Sequence, residues 1–137
     1  MPEFRACLRV VACLDAPDHP PDDAEKVIVN DGRVLQVHRE LPTDAVYGEY
    51  IGVAGFSQAG ADRLRRAYHR VREEFAGRPW REAKVFEKAY LILLFQDMIE
   101  SGESFAHVDT PGGYIEVDTQ QDFEYARQHW LTRHRGR

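Results

Sequence analysis

The chain is poor in several things that would settle its class at once. Two cysteines, Cys7 and Cys13, occur in 137 residues. They make neither a disulfide framework nor a metal motif, and read as buried thiols of a reducing compartment. No run approaches the ~18 apolar residues that span a bilayer. The N-terminal Met1-Pro2-Glu3-Phe4-Arg5 lacks the basic-then-apolar order of a secretory signal. A cytoplasmic protein away from membranes is therefore expected. Positive charge is also short: 18 Lys and Arg against 23 Asp and Glu give a net charge of −5, with a pI near 5.7. That balance argues against a nucleic-acid surface. The arginines of Arg63-Leu64-Arg65-Arg66 read as a solvated helix face, and those of Arg133-His134-Arg135-Gly136-Arg137 as a mobile tail over 133–137. The six histidines show no ligand-like spacing. No serine or cysteine nucleophile has a sequence-local helper, and there is no internal repeat.

What is present is a 43% apolar chain, long enough for one domain over 1–137 with a real core. Phe4 to Leu14 suits a buried strand. The stretch from Asp15 to Asp23, with three prolines and four aspartates, predicts an exposed loop over 15–24. Lys26–Asn30 and Arg33–Arg39 flank Asp31-Gly32, the signal of a two-residue β-hairpin. Tyr50–Phe56 is the next strand, where Gly52 and Gly55 mark a bulge or a close backbone approach. Ser57 caps a helix to about Phe75, with Ala61, Leu64, Ala67, Tyr68, Val71 and Phe75 on its inner face. A second helix is predicted over Val85–Glu100 and a short strand over Ser104–Val108. The last helix runs from Gln120 to about His134, with Phe123, Ala126 and Trp130 facing inward. The fold class expected is α/β, a mixed sheet with flanking helices.

The most informative stretch is Gly112-Gly113-Tyr114-Ile115-Glu116-Val117-Asp118-Thr119-Gln120-Gln121-Asp122. Read as a strand of period 2 over Tyr114–Val117, it sends Ile115 and Val117 one way and Glu116 and Asp118 the other. Thr119 follows as a helix N-cap, with Asp122 as its capping-box partner. Two carboxylates on one face at the mouth of a helix suit Mg²⁺, which takes oxygen ligands and commonly one or two protein carboxylates with substrate phosphates. The plainer alternative is a solvated strand edge followed by an ordinary cap. Gly112-Gly113 is not a phosphate loop, because a strand and not a helix N-terminus follows it.

Gly48-Glu49-Tyr50-Ile51-Gly52-Val53-Ala54-Gly55-Phe56-Ser57, then Ala89-Tyr90-Leu91, then Tyr114-Ile115-Glu116-Val117-Asp118-Thr119 occur in an order that resembles the C-terminal half of certain nucleotidyltransferases. The nearest types are the phosphocholine and aminoalkylphosphonate cytidylyltransferases, relatives of the sugar-phosphate nucleotidyltransferases. The likeness covers roughly Lys26 to Trp130 and implies part of a Rossmann-like, GT-A-like nucleotidyltransferase fold. It implies Mg²⁺-dependent transfer of a nucleotidyl group, from a nucleoside triphosphate such as CTP to a small phosphorylated or phosphonate acceptor. By the same likeness Asp118 matches a metal-binding, catalytic aspartate and Glu116 the acid two positions before it. Lys26 matches a phosphate-holding lysine, against the alternative of a lysine guarding a strand edge. Arg39 stands where a lysine is usual. Glu49 and Tyr50 fall in the acceptor pocket, where Tyr47 or Tyr50 would meet an ammonium group through its ring. Tyr114 takes the place of a tryptophan beside the site, and Leu93 that of an acid after Ala89-Tyr90.

Such families also carry a glycine-rich loop with an arginine and a lysine, and an earlier metal-binding aspartate. Neither is found in this sequence. Without a triphosphate cradle the α-phosphorus is not positioned, so negligible activity of the chain alone is expected. A fragment, a subunit of a split enzyme and a decayed relative all remain open. Two functions follow: the acceptor half of a transferase working with a nucleotide-binding partner chain, or a non-catalytic binding and assembly module that keeps the fold, with a homodimer as one form of it.

Overall fold

The computed structural model describes residues 7–11, 24–109 and 115–134, and within these the side chains of 7–11, 43 and 131–134 are not described. Among the described residues there are five strands: β1 (Cys7–Val11), β2 (Lys26–Asn30), β3 (Arg33–His38), β4 (Gly48–Gly55) and β5 (Phe105–Asp109). Three α-helices accompany them: α1 (Gln58–Phe75), α2 (Leu91–Glu100) and α3 (Gln120–His134). The chain is thus mixed α/β. Strands β4-β2-β3-β5 form an antiparallel sheet, and β1 joins its two edges, antiparallel to β4 and parallel to β5, to close a barrel. The successive parallel pairs of a doubly wound sheet are not what β2 to β5 form.

Local chemistry explains the elements. Asp31 and Gly32 both have positive φ, 49° and 72°, as a two-residue hairpin turn matched to strand twist requires. Gly52 has φ 80°, and there β4 carries extra residues between the pairs Leu8↔Ala54 and Val10↔Tyr50: the glycine sits in a bulge. Ser57 Oγ accepts the Gly60 N–H at 3.1 Å and opens α1. The core lies between the sheet and α2, where Val27, Val37, Phe95, Met98 and Phe105 are buried. Phe95 meets Phe105 at 5.5 Å and Tyr50 at 5.9 Å between ring centroids. α1 adds Ala67 and Val71. The Val37 N–H of β3 donates to Gln96 Oε1 of α2 at 2.9 Å, which ties helix to sheet.

Some expected elements differ. The helix expected over Val85–Glu100 is a 3₁₀ turn, Phe86–Lys88, and then α2 from Leu91, because Ala89 and Tyr90 are extended, with ψ 138° and 148°. Buried Phe86 fixes that break: its N–H donates to Arg78 O at 2.8 Å and its ring packs on Trp80. Tyr68 and Phe123 were expected inside but are 41% and 49% exposed, and Trp130 is 39% exposed. Residues 115–118 form no strand, so alternation does not set the directions of Glu116 and Asp118. Tyr114, the 15–23 part of the expected loop and 135–137 of the expected tail lie outside the described residues, while Arg133 and His134 belong to α3.

Candidate functional site

The end of β3 and the turn after it deliver His38, Arg39 and Glu40 to a cleft of about 130 Å³. Ala83, Ile92 and Leu93 make its apolar floor, Tyr90 is a wall, and Glu82 and Lys88 complete the polar lining. The extended Ala89-Tyr90 link that shortens α2 is also what brings Tyr90 to the cleft. The Arg39 guanidinium lies over the Tyr90 ring, 4.0 Å from its centroid. Its Nη2 is 3.6 Å from Glu25 Oε1. Its Nε–H is buried with no hydrogen-bond partner among the described residues. An unmet charged donor of this kind is costly and calls for an acceptor.

Glu25 is where the other expected residues meet. Burial pushes its carboxyl above the usual carboxylate range. The Arg39 charge opposes that rise, and the charges of Glu116 and Glu49 reinforce it. Lys26 pairs in register with His38 on one side and Glu49 on the other, and its buried ammonium donates to Arg39 O at 2.7 Å. Tyr50 is buried, its N–H donates to Glu25 O at 2.8 Å, and burial together with the Glu25 charge raises its phenol above the ordinary value. Lys26, Arg39, Glu49, Tyr50 and Glu116 therefore share one neighbourhood.

Asp118 is placed differently. It is exposed, and its N–H donates to Asp122 Oδ2 at 3.2 Å. The capping box itself is formed: Thr119 N and Oγ1 donate to Asp122 Oδ2 at 2.8 and 2.6 Å, and Asp122 N donates back to Thr119 Oγ1 at 3.2 Å. Tyr47 does not line the cleft; its hydroxyl donates to Asp109 Oδ2 at 2.6 Å and its ring meets His107 edge-on. Among the described residues no group of three or more His, Cys, Asp or Glu side chains is disposed to hold a metal ion, and no helix is long and apolar enough to cross a membrane.

Sequence reasoning missed Glu25, His38, Glu82 and Lys88 as parts of the site. Glu25 was hidden in the acidic run before β2, and its one signal was adjacency to Lys26. Glu82 and Lys88 come from a tight turn and a 3₁₀ turn that no periodicity marks. No protein-family model and no curated protein matches the chain.

Proposed function

We propose that the chain is the acceptor-binding half of a nucleotidyltransferase resembling the phosphocholine and aminoalkylphosphonate cytidylyltransferases. The observation that carries the reading is Arg39: a guanidinium stacked on Tyr90, with a buried unmet Nε–H, at a cleft of about 130 Å³. That volume suits a phosphate or phosphonate group with a short head group. Arg39 and Lys88 offset the acceptor's charge, and an acceptor oxygen is then free to attack the α-phosphorus of the nucleotide, with pyrophosphate leaving. Little covalent chemistry falls to side chains. The Lys26 ammonium holds the carbonyl of Arg39 and so sets where that cation stands. Glu49 and Tyr50 border the same neighbourhood and bound the acceptor's far end.

Glu116 and Glu49 bring negative charge to Glu25, and oxygen donors of that kind are what a hard cation takes, although no three such side chains form a metal-holding group among the described residues. Glu116 and Asp118 are the side chains that would hold Mg²⁺. When bound, the ion neutralises phosphate charge and aligns the two anionic reactants. The Rossmann-like character of the family fold, and a cytoplasmic location, belong to the same proposal.

The second reading, a non-catalytic assembly module, is favoured by Val117, Phe123 and Trp130, large apolar side chains exposed in the C-terminal segment that another chain or a second copy would cover. The two readings separate in one assay. The chain is mixed with a nucleotide-binding half carrying a glycine-rich loop, CTP, Mg²⁺ and phosphocholine or 2-aminoethylphosphonate, and pyrophosphate is measured. Release that depends on this chain, and is abolished by Asp118→Asn with the fold intact, supports the transferase. No release with either acceptor supports the module, and an unaffected rate in Asp118→Asn removes that residue from the mechanism.

A further inference from the structure

Geometry assigns the two nitrogens of the His38 ring different roles. The Glu40 backbone N–H can only donate, and it donates to His38 Nδ1 at 3.0 Å, so Nδ1 carries no proton. The other nitrogen, Nε2, contacts Glu82 Oε1. Glu82 is an ionised acceptor: burial pushes its carboxyl up, but the hydrogen bonds from His38 and from its own backbone, together with neighbouring positive charge, outweigh this and hold it below the usual range. Nε2 must therefore bear the ring's single proton. A second proton would go on Nδ1 and set N–H against N–H across the 3.0 Å contact that closes residues 38 to 40. Arg39 is the residue between them.

We propose that His38 is a positioning residue for Arg39: its neutral ring closes the turn that sets the guanidinium in the cleft, and protonation of the ring opens that turn and weakens anion binding. The proposal rests on the reading of the cleft as an acceptor site and adds its regulation by pH. The charged groups around His38 are Glu82, which contacts it from the turn before α2, Lys26, its register partner on β2, Lys88 of the 3₁₀ turn, which lines the same cleft, and Arg39 and Glu40 on its own segment; Arg81 acts on Glu82. α2 meets this end of β3 through Gln96. Whole-molecule electrostatics predict the opposite trend, because added positive charge tightens anion binding as pH falls.

The test uses sulfate, which stays fully ionised, titrated into the isotope-labelled 137-residue chain and followed at the Arg39 Nε–H. Compared at about pH 8 and about pH 5.5, affinity should fall about tenfold or more at the lower pH, as loss of a charged hydrogen bond implies. His38→Asn keeps an acceptor near the Nδ1 position and cannot gain a proton, so its affinity should not fall with acid. His38→Ala should bind weakly at both ends. Without any ligand, the Glu40 amide should shift and exchange faster as the His38 ring protonates. A Glu40 amide that ignores that protonation overturns the proposal, as does sulfate affinity that is flat or rises with acid in the unmodified chain. Absence of sulfate binding at every pH, with the Glu40 amide responding, supports the turn and sinks the acceptor reading instead.

Discussion

At the scale of single residues, the site is governed by the competition around Arg39. One guanidinium serves the Glu25 carboxylate and the Tyr90 face, and still leaves a buried N–H unmet. A lysine has no planar fork and cannot stack in the same way. Glu25 is the counterpart: its folded value is raised, first by burial and then by Glu116 and Glu49, so the folded chain holds that proton to higher pH than the unfolded chain does. By linkage, stability is lost as pH climbs from the ordinary glutamate value through the raised one. Glu25→Gln removes that loss, so its stability relative to the parent should improve from about pH 4 to about pH 7 in chemical denaturation. A difference that is flat, or that worsens with pH, would mean that burial does not control this carboxyl. Glu82, Glu100 and Asp109 have the opposite sign. Burial pushes Glu82 up, but hydrogen bonds from His38 and its own backbone together with neighbouring positive charge outweigh it, Arg81 lowers Glu100, and Tyr47 lowers Asp109. Their contribution is present above the ordinary carboxylate values and disappears as pH falls through the lowered ones.

At the scale of elements, α2 is the one the fold depends on. Phe95 is fully buried between Tyr50 and Phe105, so Phe95→Ala should cost about 3–5 kcal/mol. Phe123 of α3 is 49% exposed, and Phe123→Ala should cost less than about half as much, as partial burial implies. Urea denaturation of both variants checks the pair, and equal costs would return α3 to the core. The same contrast shows what was legible. The Asp31-Gly32 hairpin, the Ser57 cap and the β5 strand follow from local chemistry, and all stand where the sequence puts them. The start of α2 does not, because the side chain that breaks the helix is Phe86, pinned by Trp80 and Arg78 from elsewhere in the chain. The Tyr114–Val117 strand fails for a related reason. Alternating residues satisfy a strand's period, but no neighbouring strand pairs with 115–118 among the described residues.

At the scale of the whole molecule, a net charge of −5 opposes the approach of any phosphorylated ligand, so binding has to be local. Three features supply it together: β3 leads directly into Arg39, β2 fixes that arginine's carbonyl through Lys26, and the extended link before α2 lays Tyr90 beneath the guanidinium. The motif order made Arg39, Lys26 and Glu49 legible as a group. Their meeting with Glu25 was not, since a strand register decides it and the acidic run before β2 looks like loop. The most direct measurement is a titration of phosphocholine into the labelled chain, followed at the Arg39, Lys88 and Tyr90 resonances, with Arg39→Lys as the paired variant. Saturable shifts at those three positions, weakened about tenfold in Arg39→Lys as loss of a stacked, forked contact implies, are the expected result. Shifts that never saturate, or that are the same size in Arg39→Lys, would contradict an acceptor site in this cleft.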